Sequence, residues 1–220
     1  MAPAWLALVA WIYLSICFCC AAAIAYDIFV DGHRQAMGVM NAVFPITALY
    51  WGPLALAFYA RWGRATRRGK TPWWAMMATE VSHCGAGCVL GDVISEFAIF
   101  WLALAISGSM LGAEYLGDYV LALIFGIAFQ YFAIAPMRGL GLKDGLKAAA
   151  KADFISLTFF EVGLFAWMAI MTFVLFPAPH QLMANSASFW LLMQVGMMVG
   201  YATSWPANVW LVKRGIKVPM

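Results

Sequence analysis

The chain has 220 residues, 65% of them hydrophobic and only 10% charged, with a formal net charge of +3. An ordinary water-soluble domain is about half apolar, so this composition excludes that class; the small basic excess gives no ground for a nucleic-acid partner. The chain reads as an all-α integral membrane protein whose solvent is the lipid bilayer, with six transmembrane helices in one bundle and a single domain over 1–220.

The first span, 4–25, lacks a basic leader and is longer than a secretory h-region, so it reads as a retained helix. Its Cys17, Cys19 and Cys20 read as packing thiols, with an exit-side soft-metal site as the alternative, and five cysteines, all in predicted helices, do not suggest an extracellular disulfide framework. The second span, 37–59, carries Pro45 and the Gly52-Pro53 pair, which remove backbone donors and predict a kinked helix. The third, 81–107, extends back to Trp73. Unbroken, it would be about 50 Å long, so its first part must tilt, bend or lie at the interface. The fourth span is 119–135. In the stretch 139–151, Lys143, Lys147 and Lys151 stand four apart, which predicts a segment lying along the cytoplasmic surface before the fifth span, 152–176. The sixth is 188–212.

Orientation follows from Lys and Arg, which stay on the cytoplasmic side. Arg61, Arg64, Arg67, Arg68 and Lys70 follow span two; Arg138, Lys143, Lys147 and Lys151 follow span four; Lys213, Arg214 and Lys217 follow span six. Only Arg34 falls in an alternate loop. Both termini are therefore expected in the cytoplasm, with Asp27, Asp31, Glu114 and Asp118 facing outward. His33 and His180 fall in predicted outer loops and carry no signal.

Within span three, Glu80, Cys84, Cys88, Asp92 and Glu96 recur every fourth residue, a slowly winding stripe about 24 Å long, with His83 beside the first cysteine. Gly87 and Gly91 form an adjacent bare row that admits a second helix closely. Span five brings Asp153, Ser156 and Glu161 into the membrane from the same end and is the expected partner. A carboxylate at mid-membrane costs about 2.5–3.5 kcal/mol on insertion scales, so Asp92, Glu96 and Glu161 require pairing, a metal, a proton or water.

Thiolate and imidazole select copper(I) or zinc, which makes His83, Cys84, Cys88 and Asp92 the candidate metal ligands and Glu80, Glu96, Asp153, Ser156 and Glu161 a polar path. The plain alternative is that the cysteines are small hydrophobes and His83 bonds a backbone carbonyl. A Cys84–Cys88 disulfide is strained, because four-residue helical spacing sits near the roughly 6 Å limit of Cα reach. With His83 the sole histidine in a predicted span, no haem is expected. No nucleotide loop or Ser-His-Asp set occurs, so catalysis on a soluble substrate is not indicated.

These segments together resemble a bacterial membrane family catalogued as domain of unknown function 4396. The resemblance is carried by Met40-Asn41-Ala42-Val43-Phe44-Pro45, Thr47-Ala48-Leu49-Tyr50 and Gly52-Pro53-Leu54; by His83-Cys84-x-x-Gly87-Cys88-x-x-Gly91-Asp92; by Asp153-x-x-Ser156-x-x-x-x-Glu161; and by Pro206-x-Asn208-x-Trp210-Leu211 before Arg214-Gly215. The family often has Glu where this chain has Asp92, and a further Asp near the positions of Val162 and Gly163. The resemblance implies a six-helix-type membrane protein of a bacterial inner (plasma) membrane with polar residues at these places, and no established activity.

The expected function is metal handling, binding or transporting a soft transition metal, copper ahead of zinc. The alternatives are an accessory or assembly subunit of a larger membrane complex, with partner subunits or a second copy against the stripe, and a membrane thiol oxidoreductase.

Overall fold

The computed structural model describes residues 3–65 and 70–217, with the backbone alone at 137 and 138. Among the described residues seven helices follow one another: α1 (Ala4–Phe29), α2 (Met40–Trp51), α3 (Pro53–Phe58) continued by a π turn Tyr59–Gly63, α4 (Trp73–Leu102), α5 (Met110–Arg138), α6 (Leu142–Ile170) continued by a π turn Met171–Leu175, and α7 (Ala187–Lys213). No strand occurs among the described residues. Four stretches of the described residues, Ala4–Phe29, Trp73–Leu102, Met110–Pro136 and Leu142–Leu175, are long and apolar enough to cross a membrane. The protein is all-helical and of membrane type.

The expected second span is not one crossing helix. Gly52, at φ +51°, stops α2, and Pro53 restarts the chain as the first residue of α3. The two halves fold back on each other: the Phe44 and Tyr59 rings stand 5.2 Å apart, and a Cβ on Gly63 would meet the Phe44 ring at 2.8 Å. Apex and α1 meet at mid-helix, where the Tyr13 hydroxyl donates to Tyr50 O at 3.3 Å and Cys17 Sγ lies against Gly52. The break frees carbonyls that water cannot reach, and side chains take them over: Gln194 Nε2 donates to Leu49 O. The hairpin thus reaches the middle of the bundle and returns to the end it left. There Arg64 Nη2 donates to Asp27 Oδ1 at 2.6 Å, and Trp62 packs on Trp74 with ring centroids 4.6 Å apart.

From that end α4 to α7 alternate in direction. α4 meets α5 antiparallel along the glycine row: a Cβ on Gly87 would stand 2.7 Å from Gly126 Cα, and one on Gly91 2.5 Å from Ala122 N. The partner of the Gly87/Gly91 face is therefore α5, not the 152–176 helix, which packs one row over as α6, with Phe160 against Gly85. Residues 139–151 do not form a separate surface segment either. α6 runs unbroken from Leu142, because Gly145 packs under the Tyr131 ring and no breaker interrupts the helix.

Three corrections to the expected topology follow. The start of α1 and the end of α7 lie at opposite ends of the bundle, not the same one. Arg34 stands at the end that carries Arg61, Arg64, Lys70, Arg138, Lys143, Lys147, Lys151, Lys213, Arg214 and Lys217; Arg67 and Arg68 lie outside the described residues. Asp27 and Asp31 share that basic end.

Candidate functional site

The third-span stripe lies on the inner face of α4, and the antiparallel packing sets partners beside each of its steps. At the basic end Glu80 and Asp153 flank the Lys217 ammonium, whose Nζ stands 3.1 Å from Glu80 Oε1 and 3.3 Å from Asp153 Oδ1 and donates to Asn208 Oδ1 at 2.9 Å. Only the contacts to Asp153 and Asn208 have hydrogen-bond alignment; the approach to Glu80 is an ion pair. Lys217 is 3% exposed. Burial alone would lower its pKa, but the charges of Glu80 and Asp153 outweigh that cost and hold it above the ordinary lysine range.

One turn deeper, Asn208 Nδ2 donates to Ser156 Oγ at 2.6 Å, and Ser156 Oγ donates to Cys84 Sγ at 3.0 Å. Next come Cys88 and Glu161, which are neighbours. Beyond them Asp92 and Glu96 of α4 meet Glu114 and Asp118 of α5, close enough for their charges to act on one another. Asp92, Asp118 and Glu161 are buried with no hydrogen-bond partner on either oxygen, and Ser95 Oγ beside them is likewise unpartnered. The column is continuous: Lys217, Glu80, Asp153, Asn208, Ser156, Cys84, Cys88, Glu161, Asp92, Asp118, Glu96.

His83 is not part of it. Rotated one residue around α4, its ring is buried against Met40, with Nδ1 3.5 Å from the thioether sulfur, and edge-on to Phe129. Cys84 and Cys88 are both free thiols in the cluster that includes Tyr50, Leu157, Phe160 and Met197. Cys17, Cys19 and Cys20 are free as well.

Among the described residues, one group of three metal-binding side chains has its ligand atoms within 4.8 Å of one another: Asp27, Asp31 and His33. Its Asp27 carboxylate already holds Arg64, and the same guanidinium lies 3.0 Å from His33 Nδ1, so a cation is built into it. The column's donors are instead strung out at one-turn intervals. Their types fit a cation, but their spacing suits successive steps rather than one chelate.

A family model described as a domain of unknown function (DUF4396) matches residues 73–217. The chain belongs to this family. The matched DUF4396 segment runs from the first residue of α4 through Lys217 and so contains every member of the column, while α1 and the hairpin, with its 40–54 resemblance, lie outside it. No curated protein and no solved structure matches the chain.

Sequence reasoning missed Lys217, Asn208, Glu114, Asp118 and Ser95. Glu114 and Asp118 stand four apart, the same helical signal as the α4 stripe, but the span boundaries expected from hydropathy leave both in an outward loop. Lys217 carries no local signal and Asn208 only its place in the Pro206-x-Asn208-x-Trp210 resemblance, since their partners are on other helices.

Proposed function

We propose that this protein is a cation-handling membrane protein that passes a soft transition metal, copper ahead of zinc, along the α4 column, from the half holding Asp92, Glu96, Asp118 and Glu161, through the Cys84 and Cys88 thiols, to Glu80 and Asp153. The observation that carries this reading is the run of buried, unpartnered carboxylates joined end to end with two free thiols. Each such group is costly inside a membrane, and intramembrane ionisable residues mark ion or proton routes. Thiolates favour copper(I) and zinc, whereas carboxylates on either side hold a soft ion weakly enough to let it move on.

In this reading α1, α4, α5, α6 and α7 cross a bacterial inner membrane and α2–α3 is a re-entrant hairpin. The positive-inside rule puts the Lys217 end in the cytoplasm, with the start of α1 outside. The acidic end of the column then faces outward, where a cation is drawn in.

Metal content of the purified protein and copper accumulation by cells expressing it test the reading together. Copper bound by the native chain and lost in Cys84→Ser/Cys88→Ser supports it. Equal copper in both, or none in either, overturns it. An apolar cavity of about 420 Å³ between α1, α4 and α7, lined by Trp11, Phe18, Val93, Phe97, Trp190 and Gln194, supports a second reading as a subunit that seats a partner's apolar segment. A stoichiometric partner on purification decides for it.

A further inference from the structure

We propose that Glu80, Asp153 and Asn208 form a cation-binding site at the basic end of the column, which Lys217 fills as a tethered ammonium and which a divalent cation of oxygen-binding type can take in its place. The inference rests on reading the column as a cation route, and it names the last station of that route and what closes it.

The ammonium marks the place. Three helices each supply one oxygen to it: Glu80 Oε1 from α4, Asp153 Oδ1 from α6 and Asn208 Oδ1 from α7, at 3.1, 3.3 and 2.9 Å. The site also has capacity the ammonium does not use, because Glu80 Oε2 and Asp153 Oδ2 are buried with no partner. Two carboxylates and an amide oxygen around one point are the donors that Mn²⁺, Ca²⁺ and Mg²⁺ select.

Lys217 reaches the site on a short turn, not on a helix. After α7 the chain reverses at Gly215, φ +68°, and Ile216 N and Lys217 N donate back to Leu211 O at 3.0 and 3.3 Å. The turn's amides bond back only to carbonyls at the end of α7, so Lys217 can withdraw with the turn while the body of α7 stays in place. The same Asn208 that accepts from Lys217 donates to Ser156 and thereby reaches Cys84. A cation replacing Lys217 therefore stands next to the thiol steps, where oxygen donors would hold a thiophilic cargo loosely and let it leave.

Mn²⁺ is the probe, read by electron paramagnetic resonance and by thermal melting of the full chain in detergent. Lys217→Met removes the ammonium and keeps a long side chain. That variant is expected to melt below the native protein, to bind about one Mn²⁺ per chain, and to regain about 5–10 °C at saturating Mn²⁺, the size of shift expected from a ligand near 100 times its Kd. The native chain, in which the tethered ammonium competes, is expected to bind Mn²⁺ more weakly and to shift less than Lys217→Met, and Glu80→Gln/Asp153→Asn/Lys217→Met to show neither binding nor shift. Lys217→Gln serves as a second variant. The absence of any Mn²⁺ response in both single variants, including their failure to fold at every Mn²⁺ concentration, overturns the proposal, as does an equal response in the triple variant. The Cys84→Ser/Cys88→Ser change, which decides the copper route, is expected to leave the Mn²⁺ response of Lys217→Met unchanged, so the two ideas fail separately.

Discussion

The Ser156 hydroxyl donates to the Cys84 sulfur at 3.0 Å, across the contact of α6 with α4. Through that bond the thiol is tied to Asn208 and, beyond it, to Lys217, so a soft donor and a charged pair belong to one buried network. Networks of this kind respond to the loss of a single member by more than one bond's worth, because the partners left behind are out of reach of water.

Ser156→Ala tests that coupling. It removes an acceptor for Asn208 Nδ2 and the donor to Cys84, leaving Ser204 O and Ser204 Oγ as acceptors for Nδ2 at 3.0 and 3.4 Å. A loss of about 1–3 kcal/mol is expected in chemical or thermal unfolding. Ser156→Thr keeps the hydroxyl and should lose less; equal losses would mean that volume, not the hydrogen bond, matters at this position.

Gly91→Val should separate α4 from α5. A Cβ there would already stand 2.5 Å from the backbone nitrogen of Ala122, which cannot rotate aside, and two methyl groups add to the clash. Overpacking costs about 1–3 kcal/mol or more, so a clear drop in melting temperature is expected, while Gly139→Ala, where a Cβ meets nothing, tests only the strain of its φ of +61°. An unchanged melt for Gly91→Val would contradict the close packing.

The hairpin makes a topological prediction. Reporters fused ahead of α1 and after Lys217 should lie on opposite sides of the membrane, and a single cysteine placed at position 34 should react with impermeant reagents from the same side as one at position 143. Both reporters on one side would require segment 37–63 to cross.

The apex needs its caps. Gln194→Leu leaves Leu49 O without its donor and should destabilise the fold by about 1–3 kcal/mol. Gly52→Ala should cost at least as much, since φ is +51° and the new Cβ would press on Cys17 Sγ at 2.9 Å. A melt of either variant matching the native one would show that the turn is not held as described.

Lys217 also sets a pH dependence. Its folded pKa is raised, burial opposing and the Glu80 and Asp153 charges prevailing, so its contribution is fully present below the unfolded lysine value of about 10.4 and falls only as pH climbs from there toward the folded value. The stability difference between the native chain and Lys217→Met should therefore not shrink from pH 7 to about 10, and should shrink only above it. A difference that already shrinks between pH 7 and 9 would contradict a raised value.

Membrane character, helical secondary structure and the one-face spacing of Glu80, Cys84, Cys88, Asp92 and Glu96 are legible in the sequence, because apolarity and the 3.6-residue period are properties of a single segment. The tertiary structure alone decided that 40–63 turns back at Gly52, that Arg34 therefore joins the other basic residues, that α5 rather than α6 covers Gly91, and that His83 leaves the stripe for Met40. It also decided that Lys217 and Asp118, from distant parts of the chain, complete the column at its two ends. Each of these depends on which helix lies beside which, and that is set by backbone approach at small residues and by buried partners far apart in sequence, which no local pattern records.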